Sequence, residues 1–518
     1  MVVSTQLLVG GRIYAPSAPD ATAMAVTDGI VTWLGADKPA LALHPDAEVV
    51  DLAGAFVAPA FVDAHVHTTA LGLSLVGLDL SGCGSLADCL TRLRTYAAGH
   101  DDPVVWGHGW DETAWPEGRP PTSAEIAAAA PGRTVYLARV DVHSAICSPN
   151  LADGVVRGAE HHRVRAAARA LLTAETRAKA QRAALDSAAA HGIVAIHECA
   201  GPDISGRDDL AALRTLDHGV HVRAYWGEAV DSPEAAKQLL ADTGADGLAG
   251  DLFVDGSLGS HTAWLAQPYA DADTCGTSYL DPAAITAHVR ACTQAGVQAG
   301  FHVIGDRAVR TVVEAFAAVA AELGGPAVAS CGHRLEHVEM VTTEQAAQLG
   351  RWGVLASVQP GFDAAWGGPD GMYERRLGAQ RARAMNPFAA LAANGVSLAI
   401  GTDAPVLPLG PWSAIRAAVG HRSGYGISPR AAFGAATRGA WRAGGVRDGV
   451  AGTLAPGAPA SYAVWETGEL VVAAAADSVQ RWSTDPRSRV PGLPPLGSDD
   501  PDPICIRTVH RGATIYER

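Results

Sequence analysis

Two hydrophobic patterns alternate along the chain. Near both ends, short apolar stretches such as 6–9, 29–34, 460–465 and 504–509 are bounded by Gly, Pro and Asp, the punctuation of hairpins. Neither end has strands enough for a core of its own. Residues 1–57 and 447–518 are therefore expected to combine into one small composite β-sandwich, which also brings the termini together. Between them, continuous apolar runs alternate with Ala-rich helical stretches. The runs are 61–67, 134–140, 193–197, 252–255, 297–302, 334–337, 354–359 and 396–401; clear helices fall at 171–191, 283–295 and 308–323. Apolar strands alternating with helices indicate a parallel sheet buried on both faces. Eight such runs predict an α/β fold of the (β/α)8 TIM-barrel type over residues 58–446. A doubly wound open sheet is the alternative, but no GxGxxG follows the first strand. Residues 68–133, rich in Gly, Trp and Pro, are expected to form a lid or pocket wall, and residues 484–503 an exposed loop.

Composition narrows the partners. Of 518 residues, 48% are hydrophobic and 18% charged, which supports a large core and excludes wholesale disorder. A net charge of −15 argues against nucleic acid and anionic membranes, leaving a small molecule as the expected partner. No apolar stretch approaches the ~20 residues of a membrane span. The opening Met1-Val2-Val3-Ser4-Thr5-Gln6 lacks the basic start of a signal peptide. Eight scattered cysteines without a CxxC pair read as reduced thiols, and a cytoplasmic location is expected.

The chemistry lies where the strands end. The first barrel run closes on Asp63-Ala64-His65-Val66-His67, and strand alternation puts His65 and His67 on one face with Asp63. Two imidazoles ~6–7 Å apart can grip one divalent metal. Later runs end in Phe301-His302, Leu335-Glu336-His337 and Gly401-Thr402-Asp403. Active residues of a barrel gather at the C-terminal ends of its strands, so four histidines and an aspartate are expected to converge.

The stretch from Ala58 to His67 resembles the PGFIDxHxH motif of the amidohydrolase superfamily, and Asp255-Gly256-Ser257-Leu258-Gly259-Ser260-His261-Thr262-Ala263 its DGSLGSRTA motif. His302-Val303-Ile304-Gly305-Asp306, Arg334-Leu335-Glu336-His337, Gly401-Thr402-Asp403-Ala404-Pro405 and Gly452-Thr453-Leu454-Ala455-Pro456-Gly457 extend the likeness over almost the whole chain. The chain is thus similar to the amidohydrolase 3 group, which includes N-substituted formamide deformylase-like enzymes. The resemblance implies a metal-dependent hydrolase with His65, His67, His302, His337 and Asp403 as metal-site residues, and a homodimer as the assembly to expect. It also points to His143, in Asp141-Val142-His143, as a residue near the pocket that binds substrate. Trp110, beside Trp106 and Trp115, is a further candidate for the pocket lining.

The chain departs from its relatives at one place. Many of them join two metals through a carboxylated lysine shortly before the DGS motif, where this chain has Asp251. Its three lysines, Lys38, Lys179 and Lys237, lie in the N-terminal β-region and in helical stretches, so no carboxylated lysine is expected. Glu198, in His197-Glu198-Cys199 at the end of the third run, is the candidate replacement ligand; Cys199 and Asp251 stand behind it. One divalent metal, Zn²⁺ above all, is expected to bind tightly, with a second held loosely. The implied reaction is hydrolysis of a non-peptide C–N bond (amide, formamide or cyclic amide) by a metal-activated water. Asp403 serves as general base and then acid, and His337, where uncoordinated, polarises the carbonyl. Deamination of a heterocycle and a catalytically silent binding protein on the same scaffold are the alternatives.

Overall fold

The computed structural model describes residues 5–472 and 490–518. Met1–Ser4 of the opening stretch and residues 484–489 of the expected loop lie outside the described residues.

Two arcs of parallel strands form the centre. Phe61–Val66 pairs with Ile193–Ala200, which pairs with His221–Trp226. Gly300–Val303, Arg334–His337, Leu355–Val358 and Ser397–Ile400 follow one another in a second parallel sheet. Parallel bridges Tyr225↔Gly247, Leu248↔Ala299 and Phe253↔His302 join the arcs on one side, and Val66↔Ala404 joins them on the other. The arrangement is a TIM-barrel-like α/β fold. Its strands are buried on both faces because helices cover them. Asp306–Leu323 shows how: Val309, Val312, Val313, Phe316 and Val319 recur at helical spacing and are buried. Pro282–Ala295 starts where the Asp281 side chain accepts from Ala284 N and stops at left-handed Gly296.

Two expectations need correction. Thr134–Arg139 is not a strand of this centre. It belongs to a separate five-stranded sheet with Leu78–Asp79, Val104–Trp110, Ser144–Cys147 and Val155–Arg157. That sheet has its own core, including Leu86, Leu93, Ile126 and Leu137. A run buried on both faces carries the same apolar signature in either sheet, so pattern alone did not separate them. The strand overlooked in its place is His221–Trp226, whose exposed His221 and half-buried Arg223 interrupt the apolar run. The insertion thus extends past residue 133, to Arg157.

The terminal segments pair with each other. Arg12–Ile13 and Phe56–Pro59 share a five-stranded sheet with Tyr462–Glu466, Ile504–His510 and Ala513–Glu517. Against it lies a four-stranded sheet of Thr5–Val9, Ala23–Thr27, Ile30–Gly35 and Glu48–Asp51. One core containing Leu8, Met24, Val31, Tyr462, Val464 and Val509 unites the two ends. Only Ala60 separates Phe56–Pro59 from Phe61–Val66, so this terminal sheet runs straight into the strand that carries His65.

Candidate metal centre

His65 and His67 leave the end of Phe61–Val66 on one face, as alternation requires. His302 comes from Gly300–Val303 and His337 from the end of Arg334–His337. Asp403 follows Ser397–Ile400. His337 and Asp403 have left-handed backbones, with φ of 69° and 57°, that turn their side chains sharply off the strand direction. Such conformations cost about 1–3 kcal/mol each and gather at functional sites. Asp63 fixes the Asp403 loop to the first strand: it accepts from Thr402 N at 2.9 Å and from Thr402 Oγ1 at 2.6 Å.

These five side chains meet around a sixth, Asp251. His65 Nε2 lies 3.4 Å from Asp251 Oδ1 and 3.5 Å from Asp403 Oδ1. His67 Nε2 lies 3.1 Å from Asp251 Oδ2 and 3.2 Å from Asp403 Oδ1. His302 Nδ1 and His337 Nε2 lie 3.6 and 3.9 Å from Asp251 Oδ1. All six side chains are buried.

The opposite ring nitrogen of each histidine is held from behind. His65 Nδ1 donates to Glu336 Oε2 at 2.9 Å, His67 Nδ1 to Cys199 O at 3.1 Å, and His337 Nδ1 to Gln359 Oε1 at 2.7 Å. His302 Nε2 reaches Gly256 O at 3.4 Å. Each contact leaves the lone pair of the inward nitrogen free, which is how metal-ligating histidines are oriented. Glu336 is itself clamped by Arg334, whose Nε and Nη2 donate at 2.6 and 2.8 Å. Arg334 Nη1 also donates to His197 Nδ1 at 2.9 Å.

Whether a cation fits can be tested on the unpartnered atoms. His65 Nε2, His302 Nδ1, His337 Nε2, Asp251 Oδ1 and Asp403 Oδ1 are all buried without a hydrogen-bond partner. Leaving a buried polar atom unpaired costs about 1–3 kcal/mol, so five facing one another mark a place built for a shared partner. Electrostatics agree. Burial opposes ionisation, yet the facing imidazoles hold Asp251 and Asp403 below the usual carboxylate range. Burial likewise pushes His67 down, but Asp251 and Asp403 reverse this and raise it to about 9. His302, driven down by burial and by His337, falls to about 4 and stays neutral at pH 7. The carboxylates thus draw positive charge into the centre, and nitrogen and carboxylate oxygen donors suit a divalent ion such as Zn²⁺.

Two expected residues are not brought into this set. Glu198 faces away, and its Oε2 accepts from Thr68 N at 2.7 Å. The reason is strand parity: along Ile193–Ala200 the neighbouring His197 and Cys199 point inward, where Arg334 and His65 lie, so Glu198 points outward. Trp110 is buried in the core of the insertion, where its Nε1 donates to Leu137 O at 2.8 Å. It does not line the cavity. His143 does, from the loop between Thr134–Arg139 and Ser144–Cys147. Its Nδ1 donates to Asp141 O at 2.7 Å, and its Nε2 is buried and unpartnered.

A cavity of about 90 Å³ opens on His302, His337 and Asp403. Phe362, Trp366 and Tyr373 form an apolar wall; Arg139, Asp141 and His143 form a polar one supplied by the insertion. Arg139 is neutralised by Asp111 and Glu112 at 2.9 and 3.0 Å.

Histidines and carboxylates at the C-terminal strand ends of a TIM-barrel-like fold, beside a small cavity, define a metal-dependent hydrolase. The chain belongs to the amidohydrolase family, whose model matches residues 48–516. It is similar to Bacillus subtilis (strain 168) YtcJ, 27% identical over 456 residues, covering 80% of this chain and 84% of that one. Protein LONG AFTER FAR-RED 3 of Arabidopsis thaliana is 25% identical over 464 residues, with 81% and 78% covered. Among solved structures, a metal-dependent hydrolase from Pyrococcus furiosus superposes with a TM-score of 0.70 at 26% identity, covering 89% of this chain and 98% of that one. Among the described residues, no single helix is long and apolar enough to cross a membrane.

Proposed function

We propose that the chain hydrolyses a non-peptide C–N bond, of an amide, formamide or cyclic amide, in a small molecule. The observation that carries this reading is the set of buried, unpartnered donor atoms at strand ends, open on one side to a small cavity. His65, His67, His302, His337, Asp251 and Asp403 would hold a divalent ion, with Zn²⁺ the best match to the donors. When bound, the ion supplies Lewis acidity, which lowers the pKa of water and polarises a carbonyl.

The chain's own groups supply the rest. Asp403, held ionised by the imidazoles around it, accepts the proton of the attacking water and passes it to the leaving nitrogen. Gln359 fixes the His337 ring at Nδ1, so that Nε2 faces both the centre and the cavity. Where Nε2 is uncoordinated, Asp251 and Asp403 outweigh burial and raise its pKa, which favours the ring as a donor to the substrate oxygen. His143 presents Nε2 to the substrate from the opposite wall. Because Nδ1–H is committed to a carbonyl, the neutral ring offers an acceptor, suited to an N–H of the substrate. The aromatic wall takes the apolar part. On this reading residues 58–446 form a closed (β/α)8 barrel, interrupted by the insertion, on a composite sandwich of residues 1–57 and 447–518.

The test is a panel of formamides, amides, cyclic amides and aminated heterocycles offered to chelated and Zn²⁺-reloaded protein. Reloading should restore release of a carboxylate plus an amine. Equal turnover by chelated and reloaded protein would overturn the metal requirement, and free ammonia from a heterocycle would reassign the reaction as deamination.

A further inference from the structure

The metal set has an unequal shape that a single ion does not use fully. Donor atoms of His65, His67 and Asp403 lie close enough for one ion, and so do those of His65, Asp251 and His337. His302 adds to the second group through Asp251 Oδ1. Asp251 stands between the groups and meets all four histidines, with Oδ2 toward His67 and Oδ1 toward His65, His302 and His337. A carboxylate with one oxygen on His67 and the other shared between His65 and the second group touches both groups at once, as a bridging ligand does.

The backbone is shaped to deliver it. An aspartate carboxylate sits one carbon beyond Cβ, so its main chain must itself come close to the centre. Residues 247–253 do this by breaking their strand. They keep only isolated bridges to their neighbours, and Leu252 N turns back to Gly250 O at 2.9 Å, bending the chain at Asp251. Glycines make the approach possible. A Cβ on Gly227 would meet the backbone of Asp251 at 2.7 Å, and Gly250, with φ of 74°, lies against Cys199. No lysine lies at the centre. Lys38, Lys179 and Lys237 are all exposed on helices.

We infer that Asp251 is the shared carboxylate of a two-ion centre, joining a half-site of His65, His67 and Asp403 to one of His302 and His337. The centre therefore assembles without carboxylation of any lysine. This rests on the metal-dependent reading above, and it is read out by metal content and spectroscopy, so it can fail separately from that reading.

The experiment loads the chelated full-length protein with Mn²⁺ in bicarbonate-free buffer. Bound metal is measured by mass spectrometry of the elements, electron paramagnetic resonance is recorded, and the protein's intact mass is taken. The wild type should bind two equivalents with an exchange-coupled signal and no added mass. Asp251→Asn and Asp251→Ala should lose one equivalent and the coupling, and Asp251→Glu should keep part of both. If the aspartate variants do not fold, the wild-type spectrum alone decides, since two uncoupled ions or one ion would overturn the inference. Dependence of the second equivalent on bicarbonate, or full coupling in Asp251→Asn, would overturn it as well. One equivalent that is lost in a His65→Asn/His67→Asn double variant would refute the bridge and leave the hydrolase reading standing. Uptake indifferent to that double variant would sink both.

Discussion

Glu336→Gln is the substitution whose consequence follows most directly from the geometry. Glu336 and Arg334 are fully buried. The carboxylate accepts from Arg334 Nε and Nη2 and from His65 Nδ1, at 2.6, 2.8 and 2.9 Å. The guanidinium also donates to Ala64 O at 2.7 Å and stacks over Tyr225 at 4.4 Å, so it has no route to water. Glutamine preserves the volume but removes the charge, and its NH₂ must face Arg334 or His65, both donors. Breaking a buried pair on one side costs about 3–5 kcal/mol, because the surviving charge is left uncompensated. The orientation of His65 loosens at the same time, and loss of such a backing group typically costs about 10–100-fold in metal affinity. Urea unfolding of chelated protein should therefore show Glu336→Gln destabilised by about 3–5 kcal/mol. A competition titration with a chelating dye should show the weaker metal binding. Adding Arg334→Met should recover part of the lost stability, since a double-mutant cycle isolates the pair. Stability within about 1 kcal/mol of wild type, with unchanged metal affinity, would refute the claim that this buried triad orients the first histidine.

Four further outcomes are expected. Asp403→Asn should lower kcat by about 10²–10⁴-fold while much of the metal is retained, so both are measured on one preparation. Trp110→Phe should leave KM unchanged and cost about 1–3 kcal/mol of stability through the orphaned Leu137 carbonyl. His143→Ala should raise KM with little loss of stability, and the reverse pattern in these two variants would exchange their assignments. Asp209, facing Arg177 at 3.2 Å, is pushed by burial to about 7. Between the ordinary ~3.9 and about 7 the folded chain keeps a proton that the unfolded chain has released. Stability therefore falls as pH rises through that window, by about 4 kcal/mol in all. Asp209→Asn should flatten this slope in thermal unfolding followed from pH 4 to 8, and an unchanged slope would remove Asp209 as its source.

What the sequence revealed follows from what alternation and periodicity encode. His65 and His67 were legible because a strand forces residues two apart onto one face. His302, His337 and Asp403 were legible because each closes an apolar run. The parallel centre was readable from the same runs, although Thr134–Arg139 shows that an apolar strand does not declare which sheet it joins. Asp251 is hard to read from sequence because its strand is broken there, so no periodicity points its side chain anywhere. The Gly250–Asp251 pair was the available signal, a glycine beside a carboxylate where the chain must turn. Glu198 reads as a ligand in the sequence because only parity, fixed by a register invisible in one sequence, separates an inward from an outward residue. Glu336 and Gln359 are invisible for a different reason: they touch the site's histidines, and a sequence places residues on strands long before it shows which side chains stand behind others.

The sheet shared by the terminal segments bears on how the molecule is made. The strand carrying His65 and His67 continues directly from Phe56–Pro59, which is flanked by Tyr462–Glu466 and backed in turn by Ile504–His510. These partners are separated by some four hundred positions of polypeptide, so although the strand of His65 and His67 can pair early with Ile193–Ala200, the segment at its base waits for Tyr462–Glu466 until most of the chain is made. A nascent chain halted before residue 462 would hold both histidines and Asp403 yet lack the strand that anchors their base, so the ion site is spelled out in full before its foundation is closed.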